Sequence, residues 1–307
     1  MILPAKLPIP KHEDNWGIVD STKLQSFLSC PRAFFYEYAL GWRSDRPSNH
    51  LIFGRAWHKA LEYLYKEGFR IENLGPAYEA FLEDYRRDLP EETDSMFGGK
   101  TPLAALQALP EYMRLYAADA YDMKVLATEV NDQVMFLDHQ PLAVKLDLIY
   151  QNPKGEVCVM EHKTGSMSGQ TWARQWALSI QVGAYVYACN MAYDQESTPL
   201  TVNGTFFLKT KRNFERTVCL RSEDAQRNWA NTVSNILADM EEQFEHLAEC
   251  RDSDPILRAF PMRPVACNSY SGCQYHDLCT CVGNPLRLGT TPPIGFVEYW
   301  WNPLKED

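Results

Sequence analysis

The stretch Val157-Cys158-Val159-Met160-Glu161-His162-Lys163-Thr164-Gly165, preceded by Lys145-Leu146-Asp147-Leu148-Ile149, decides how the rest of the chain is read. Between the two lies Gln151-Asn152-Pro153-Lys154-Gly155, a run of turn-forming residues. Two apolar, β-branched runs about such a turn predict an antiparallel hairpin. With the turn closing about Lys154, Asp147 falls opposite Glu161. Side chains alternate between faces along a strand, so Asp147, Glu161 and Lys163 share one face. A slip of one residue would scatter them.

Two carboxylates and an ammonium on one face of an apolar hairpin cost folding energy unless something binds there. Neighbouring carboxylates raise each other's pKa, and a divalent cation that accepts both removes the conflict. Oxygen ligands of this kind suit Mg²⁺ or Mn²⁺. A lysine alongside can orient or deprotonate an attacking water, or steady the anion under attack. The alternative is an exposed strand with a surface Glu/Lys pair. Glu-x-Lys alone discriminates poorly; Asp147 at the matching place on the preceding strand brings the two readings level.

At 307 residues the chain fits one elaborated domain or two small ones. No apolar run approaches the ~20 residues of a membrane span. The segment from Met1 to Asp14 holds Pro4, Pro8 and Pro10 and no apolar signal core, so a cytoplasmic protein is expected. A net charge of −10 argues against coating nucleic acid by bulk electrostatics. A local basic groove stays open to it: Lys209, Lys211, Arg212, Arg216 and Arg221 form one group, and Arg32, Arg43, Arg46 and Arg55 another. Such runs are commonly just solvated faces.

The rest of the chain frames the hairpin. Thr22-Lys23-Leu24-Gln25 has the form of a capping box, and Pro31 interrupts the helix that follows. Ala33 to Leu40 predicts an aromatic-rich helix closed by Gly41. A further helix runs from Phe53 to about Lys66 and carries His58, which matters only if other ligands converge on it. Residues 70–123 read as helical, with a Gly/Pro/Asp-rich break from Asp88 to Pro102, a helix from Ala104 to Ala120, and no evident chemistry. Val125 to Phe136 is a strand whose Glu129 could contribute to the site, though an edge-strand glutamate is the commoner account. Ser168 to Tyr193 predicts one long helix with Gln181 and Tyr185 on a common face. Strands over Thr201–Lys209 and Arg216–Leu220 and an amphipathic helix over Asp224–Glu249 complete a mixed α/β domain, a central sheet flanked by helices.

Nine cysteines, an odd number in a chain of intracellular character, argue for ligation over a disulfide framework. Cys267, Cys273, Cys279 and Cys281 crowd a short turn-rich tail. One reading is a self-contained zinc site from these four, or with His276 in place of one. The other takes Cys267, Cys273 and Cys279 with a distant fourth thiol around a [4Fe–4S] cluster, and Cys30, at a helix junction, is the available partner.

Taken together, Cys30-Pro31-Arg32, Gly54-x-x-x-His58, Leu146-Asp147-Leu148, Glu161-His162-Lys163-Thr164-Gly165, Gln181-x-x-x-Tyr185 and the Cys-rich tail form an ordered series. In this the chain resembles the RecB-type branch of the PD-(D/E)XK nuclease superfamily, above all its iron–sulfur members: CRISPR-associated RecB-like nucleases, AddB-type nuclease domains and phage exonucleases. The likeness extends from Thr22 to Cys281. It implies a restriction-endonuclease-like core at 124–250, a lead-in at 1–20, a helical region at 21–123 and a cluster-binding tail at 251–307. It implies that His58, Asp147, Glu161 and the carbonyl of His162 bind Mg²⁺ or Mn²⁺, and that Lys163 positions or activates the water. Gln181 and Tyr185 would contact DNA and support the site. Cys30, Cys267, Cys273 and Cys279 would hold the [4Fe–4S] cluster, with zinc as the alternative. Many members have two residues between the first two tail cysteines where this chain has five, which leaves Cys281 as a substitute ligand. Thr128-Glu129-Val130 fits the family loosely.

The function so implied is a metal-dependent DNA exonuclease acting on single strands or duplex ends, in recombination, repair or CRISPR-associated processing, in a host cytoplasm if phage-encoded. The rival is a catalytically silent DNA- or partner-binding module on the same scaffold. Oligomeric state is open.

Overall fold

The computed structural model describes residues 3–137, 139–208, 211–268 and 272–305. In chain order its first elements are α1 (Glu13–Trp16), β1 (Val19–Asp20), α2 (Ser21–Ser29), α3 (Pro31–Phe34), β2 (Trp42–Ser44), α4 (Asn49–Glu67), α5 (Leu74–Arg86), α6 (Pro102–Leu115) and α7 (Asp119–Asp122). There follow β3 (Lys124–Phe136), β4 (Gln140–Gln151), β5 (Val157–Gly165), α8 (Gln170–Gln175), α9 (Ile180–Tyr193), β6 (Leu200–Phe207), β7 (Arg212–Cys219), α10 (Glu223–Ala248), α11 (His276–Cys281) and β8 (Phe296–Glu298). The chain divides into two compact units, Pro47–Asn131 with Lys145–Gln226, and Met1–Arg46 with Asp132–Val144 and Arg227–Asp307.

The first of these holds the hairpin. β4 and β5 are antiparallel, paired from Leu148↔Met160 to Gln151↔Val157. Asn152 O accepts the N–H of Gly155, whose φ of +86° lets the chain return into β5. One step beyond the Leu148↔Met160 pair, Asp147 lies next to the Glu161–His162 segment and accepts the N–H of His162. β5 runs parallel to β6, with Glu161↔Val202 and Lys163↔Gly204, and β6 is antiparallel to β7. The sheet is therefore mixed, with β3 paired to β4 beside it.

Alternation sorts the hairpin's residues. Leu148, Tyr150, Cys158 and Met160 join a buried cluster with Trp57 and Leu61 of α4, Phe81 and Tyr85 of α5, and Leu109 and Tyr112 of α6. Burial of so many large apolar side chains, at roughly 1.5–3 kcal/mol each, holds the helices on the sheet. The predicted helix over Ser168–Tyr193 is instead two, α8 and α9, because Ser179 takes an extended conformation and caps α9 through the N–H of Val182. The predicted helix over Ala104–Ala120 likewise stops at Leu115. β6 ends at Phe207, and Lys209 lies outside the described residues.

In the other unit β1 pairs parallel with Leu142 and Ala143 of β4, and β2 pairs antiparallel with β8. The N-cap of α2 is Asp20, accepting the N–H of Lys23, which displaces the capping box expected at Thr22. Pro31 opens α3 directly after Cys30, and the next turn, Phe35–Ala39, widens to a π-helix. α10 buries Trp229, Val233, Ile236, Met240, Phe244 and Leu247 at helical spacing. Among the described residues no helix is long and apolar enough to cross a membrane.

Candidate active site

Asp147 and Glu161, 6% and 3% exposed, lie on the hairpin face away from the apolar cluster. Asp147 Oδ2 accepts the backbone N–H of His162 at 2.6 Å, while Oδ1 stands 3.4 Å from His58 Nδ1. Glu161 Oε1 receives Lys163 Nζ at 2.5 Å and Gln181 Nε2 at 2.9 Å. Gln181 Nε2 also donates to the Tyr185 hydroxyl at 2.8 Å, so the i, i+4 pair on α9 orients the carboxylate. Glu161 Oε2 is buried and has no hydrogen-bond partner. An orphaned carboxylate oxygen beside a second carboxylate is what a bound cation would satisfy.

The electrostatics carry the same strain. Burial and then the charge of Asp147 push Glu161 up to about 8. Burial works the other way on Asp147, but His58, His162 and Lys163 outweigh it and hold its carboxyl well below the usual range. Burial opposes the charge of His58, yet Asp147, Glu161 and Glu129 prevail and raise its pKa. Burial likewise disfavours the Lys163 ammonium, and Glu161 and Asp147 more than restore it. Two carboxylates held so far apart are a functional signature.

His162 is turned differently. Arg216 Nε donates to Asn203 Oδ1 at 3.1 Å, which leaves Asn203 Nδ2 facing His162 Nδ1 at 2.9 Å. Nδ1 is then the acceptor and the ring carries its proton on Nε2. Burial lowers the pKa of His162 to about 3, so the ring is neutral, stacked on Tyr65 with centroids 5.7 Å apart.

Glu129 joins this neighbourhood. Its carboxylate, His58 and Asp147 bring their ligand atoms within 4.8 Å of one another, a group that could hold a metal ion. β3 supplies it through a kink: Glu129 has φ +48°, a left-handed residue inside a strand. Several of the arginines in the two basic groups have partners among the described residues. Arg212 pairs with Glu111, Arg216 with Asp119, and Arg221 donates to the carbonyls of Ala177 and Ser179. Arg55 is bound by Asp84 and Asp88, and Arg32 donates to the carbonyls of Leu257 and Phe260.

In the other unit, several thiols lie close enough to influence one another. Burial raises the pKa of Cys273, and Cys267 and Cys30 add to it. Burial pushes Cys279 up to about 11, against Arg32 and with Cys273 and Cys30. Cys281 is exposed, and His276 stands beside Asp277 at 3.3 Å.

Comparison with curated proteins returns no match. Among solved structures the chain is similar to one named "Putative exonuclease" from Eubacterium rectale, with 13% identity over 77% of this chain and 83% of that one and a TM-score of 0.49. It is also similar to the protein SSO0001, at 14% identity over 75% and 78% of the two chains and a TM-score of 0.31. The family model of the PD-(D/E)XK nuclease superfamily matches residues 21–280, and the chain belongs to that superfamily.

Proposed function

We propose that this protein is a metal-dependent DNA nuclease that works as an exonuclease on single strands or duplex ends. The observation that carries the reading is the buried carboxylate pair Asp147 and Glu161, with an unpartnered oxygen on Glu161 and the Lys163 ammonium against it. His58, Asp147, Glu161 and the carbonyl of His162 would hold Mg²⁺ or Mn²⁺, with Glu129 beside them. A divalent cation there supplies polarisation of the scissile phosphate and a lowered pKa for the attacking water. Lys163 keeps its proton among the carboxylates, so its part is to orient the water or steady the phosphate as a charged donor. Gln181 and Tyr185 hold Glu161 in register for this.

Cys30, Cys267, Cys273 and Cys279 would hold a [4Fe–4S] cluster tying the N-terminal helical region to the tail. Their mutual electrostatic influence supports this set over one including exposed Cys281. Four thiolates crowded without a metal would repel one another, and a cluster removes that cost. Such a protein acts in the cytoplasm on recombination, repair or CRISPR-associated intermediates.

The test is digestion of end-labelled single- and double-stranded DNA with Mg²⁺ and with Mn²⁺. Release of mononucleotides or short products from an end, abolished by EDTA, is expected. Intact DNA under both metals would favour the silent binding module instead.

A further inference from the structure

Three features meet at the amino end of α4. Ser48, the N-cap of this 19-residue helix, makes no side-chain capping bond, and a helix leaves its first N–H groups without intrahelical partners. Lys100 is buried at 7% exposure with its ammonium 6.0 Å from the ring of Phe53. Burial alone governs its pKa, pushed down to about 8, so no carboxylate charge offsets it. His50 stands near enough that burial and then Lys100 lower its pKa too.

The placement is built. Asn49 Nδ2 donates to Lys100 O at 3.1 Å, and Asn49 Oδ1 accepts the Tyr85 hydroxyl at 2.9 Å. Gly99 fits so closely that a Cβ there would meet Leu208 O at 3.0 Å and Phe207 O at 3.2 Å. The segment is thus pressed on the carboxyl end of β6. A Cβ on Gly54, one turn along α4, would lie 3.2 Å from Thr164 Oγ1, the residue after Lys163. Lys100 and His50 therefore sit at the carboxyl ends of the parallel pair β5 and β6, where open α/β sheets take their ligands.

A buried cation without a carboxylate, beside a second basic group and an uncapped helix N-terminus, is suited to an anion that arrives and leaves. α4 also carries His58, eight residues or ~12 Å farther along its axis, so one helix serves both places. Resting on the nuclease reading above, we propose that Lys100, His50 and the first turn of α4 form a phosphate-binding subsite for the DNA strand, set apart from the cleavage site.

The experiment measures binding of the full chain to a 3′-fluorescein-labelled single-stranded oligonucleotide by anisotropy, in Ca²⁺ and across a salt series. Lys100→Met should weaken binding roughly ten-fold and reduce the salt slope by about one. His50→Gln should weaken it less. Single methylphosphonate linkages, scanned along the strand, should cost the wild type the same factor at one position and leave Lys100→Met indifferent there. Comparing 5′-phosphate with 5′-hydroxyl strands assigns the anion: a loss confined to the former means a terminal phosphate, an equal loss an internal one. A folded Lys100→Met protein with unchanged affinity and salt slope would overturn the subsite while leaving cleavage standing. Lys100-dependent binding in a wild type that cuts nothing would instead sink the nuclease reading alone.

Discussion

Asp147 and His162 are joined across the hairpin by a hydrogen bond of 2.6 Å from the backbone N–H of His162 to Asp147 Oδ2. One oxygen of the carboxylate thereby holds the strands in register, and the other remains for His58 and a cation. Asp147→Asn separates these duties. Its side-chain carbonyl can still accept the N–H, so the melting temperature should stay within a few degrees of the wild type. The charge is gone, so cleavage should fall by at least ~10²-fold, and Lys163→Ala should cost as much. Cleavage of labelled DNA that survives either change removes the active-site assignment.

Glu129 makes a sharper case, since its role rests on geometry. Its pKa is raised by burial and by Asp147, and its carboxylate faces that of Asp147 and the ring of His58. Glu129→Gln keeps the shape and removes the charge. Mn²⁺ affinity, read by calorimetry, should drop ~10–100-fold, with the fold unaltered. An unchanged affinity would return Glu129 to the role of an edge-strand residue paired with Lys145 at 3.4 Å.

The hairpin could be read from sequence because a period of two and a turn of known chemistry fix which side chains meet. The same rule failed for Glu129, whose aim depends on a left-handed kink at φ +48° that no residue preference announces. The basic groups stayed open for another reason. Arg212 and Arg216 find their carboxylates at Glu111 and Asp119, about a hundred positions away, so closeness in sequence said nothing of free charge. The break at Ser179 was hidden because apolar spacing runs through it, and a local cap decides the boundary. Lys100 lay in a Gly-rich gap between helices, where periodicity offers no guide.

Glu161 predicts how the metal-free protein responds to pH. Its carboxyl is raised from 4.5 to about 8, so between those values the folded state holds more protons than the unfolded one. Stability must then fall as pH rises through that window. Neutral His162, lowered to about 3, works the other way up to pH 6.5, so in EDTA the melting temperature should decline from about pH 6.5 to pH 8, and Mg²⁺ or Mn²⁺ should restore most of the loss at pH 8. Glu161→Gln should melt higher than the wild type at pH 8 without metal and gain nothing from it. A flat profile for wild type in EDTA contradicts the buried-pair account.

The thiols can be sorted one at a time. The proposed cluster would make anaerobically purified protein brown with broad visible absorption, and replacing Cys30, Cys267, Cys273 or Cys279 with Ala should then remove both and lower the melting temperature. Cys281→Ala, at an exposed position, should keep both. Loss of colour with Cys281→Ala and its retention with Cys30→Ala would reassign the quartet, and colourless protein carrying stoichiometric zinc would replace the cluster.

Lys100 should give opposite signs in stability and in binding. Its pKa falls from 10.5 to about 8, so between those values the unfolded state holds more protons and stability rises with pH. Below pH 8 the cost of burying the charge is borne in full, an upper figure of ~3 kcal/mol by the size of the shift. Lys100→Met removes that cost with a side chain of similar length. It should melt several degrees higher at pH 7, and the advantage should shrink as pH approaches 10.5. A residue that destabilises the fold in this way while strengthening the grip on a phosphate follows the usual trade between stability and function. If Lys100→Met melts lower than the wild type at pH 7, the ammonium has a partner within the fold and is not held open for DNA.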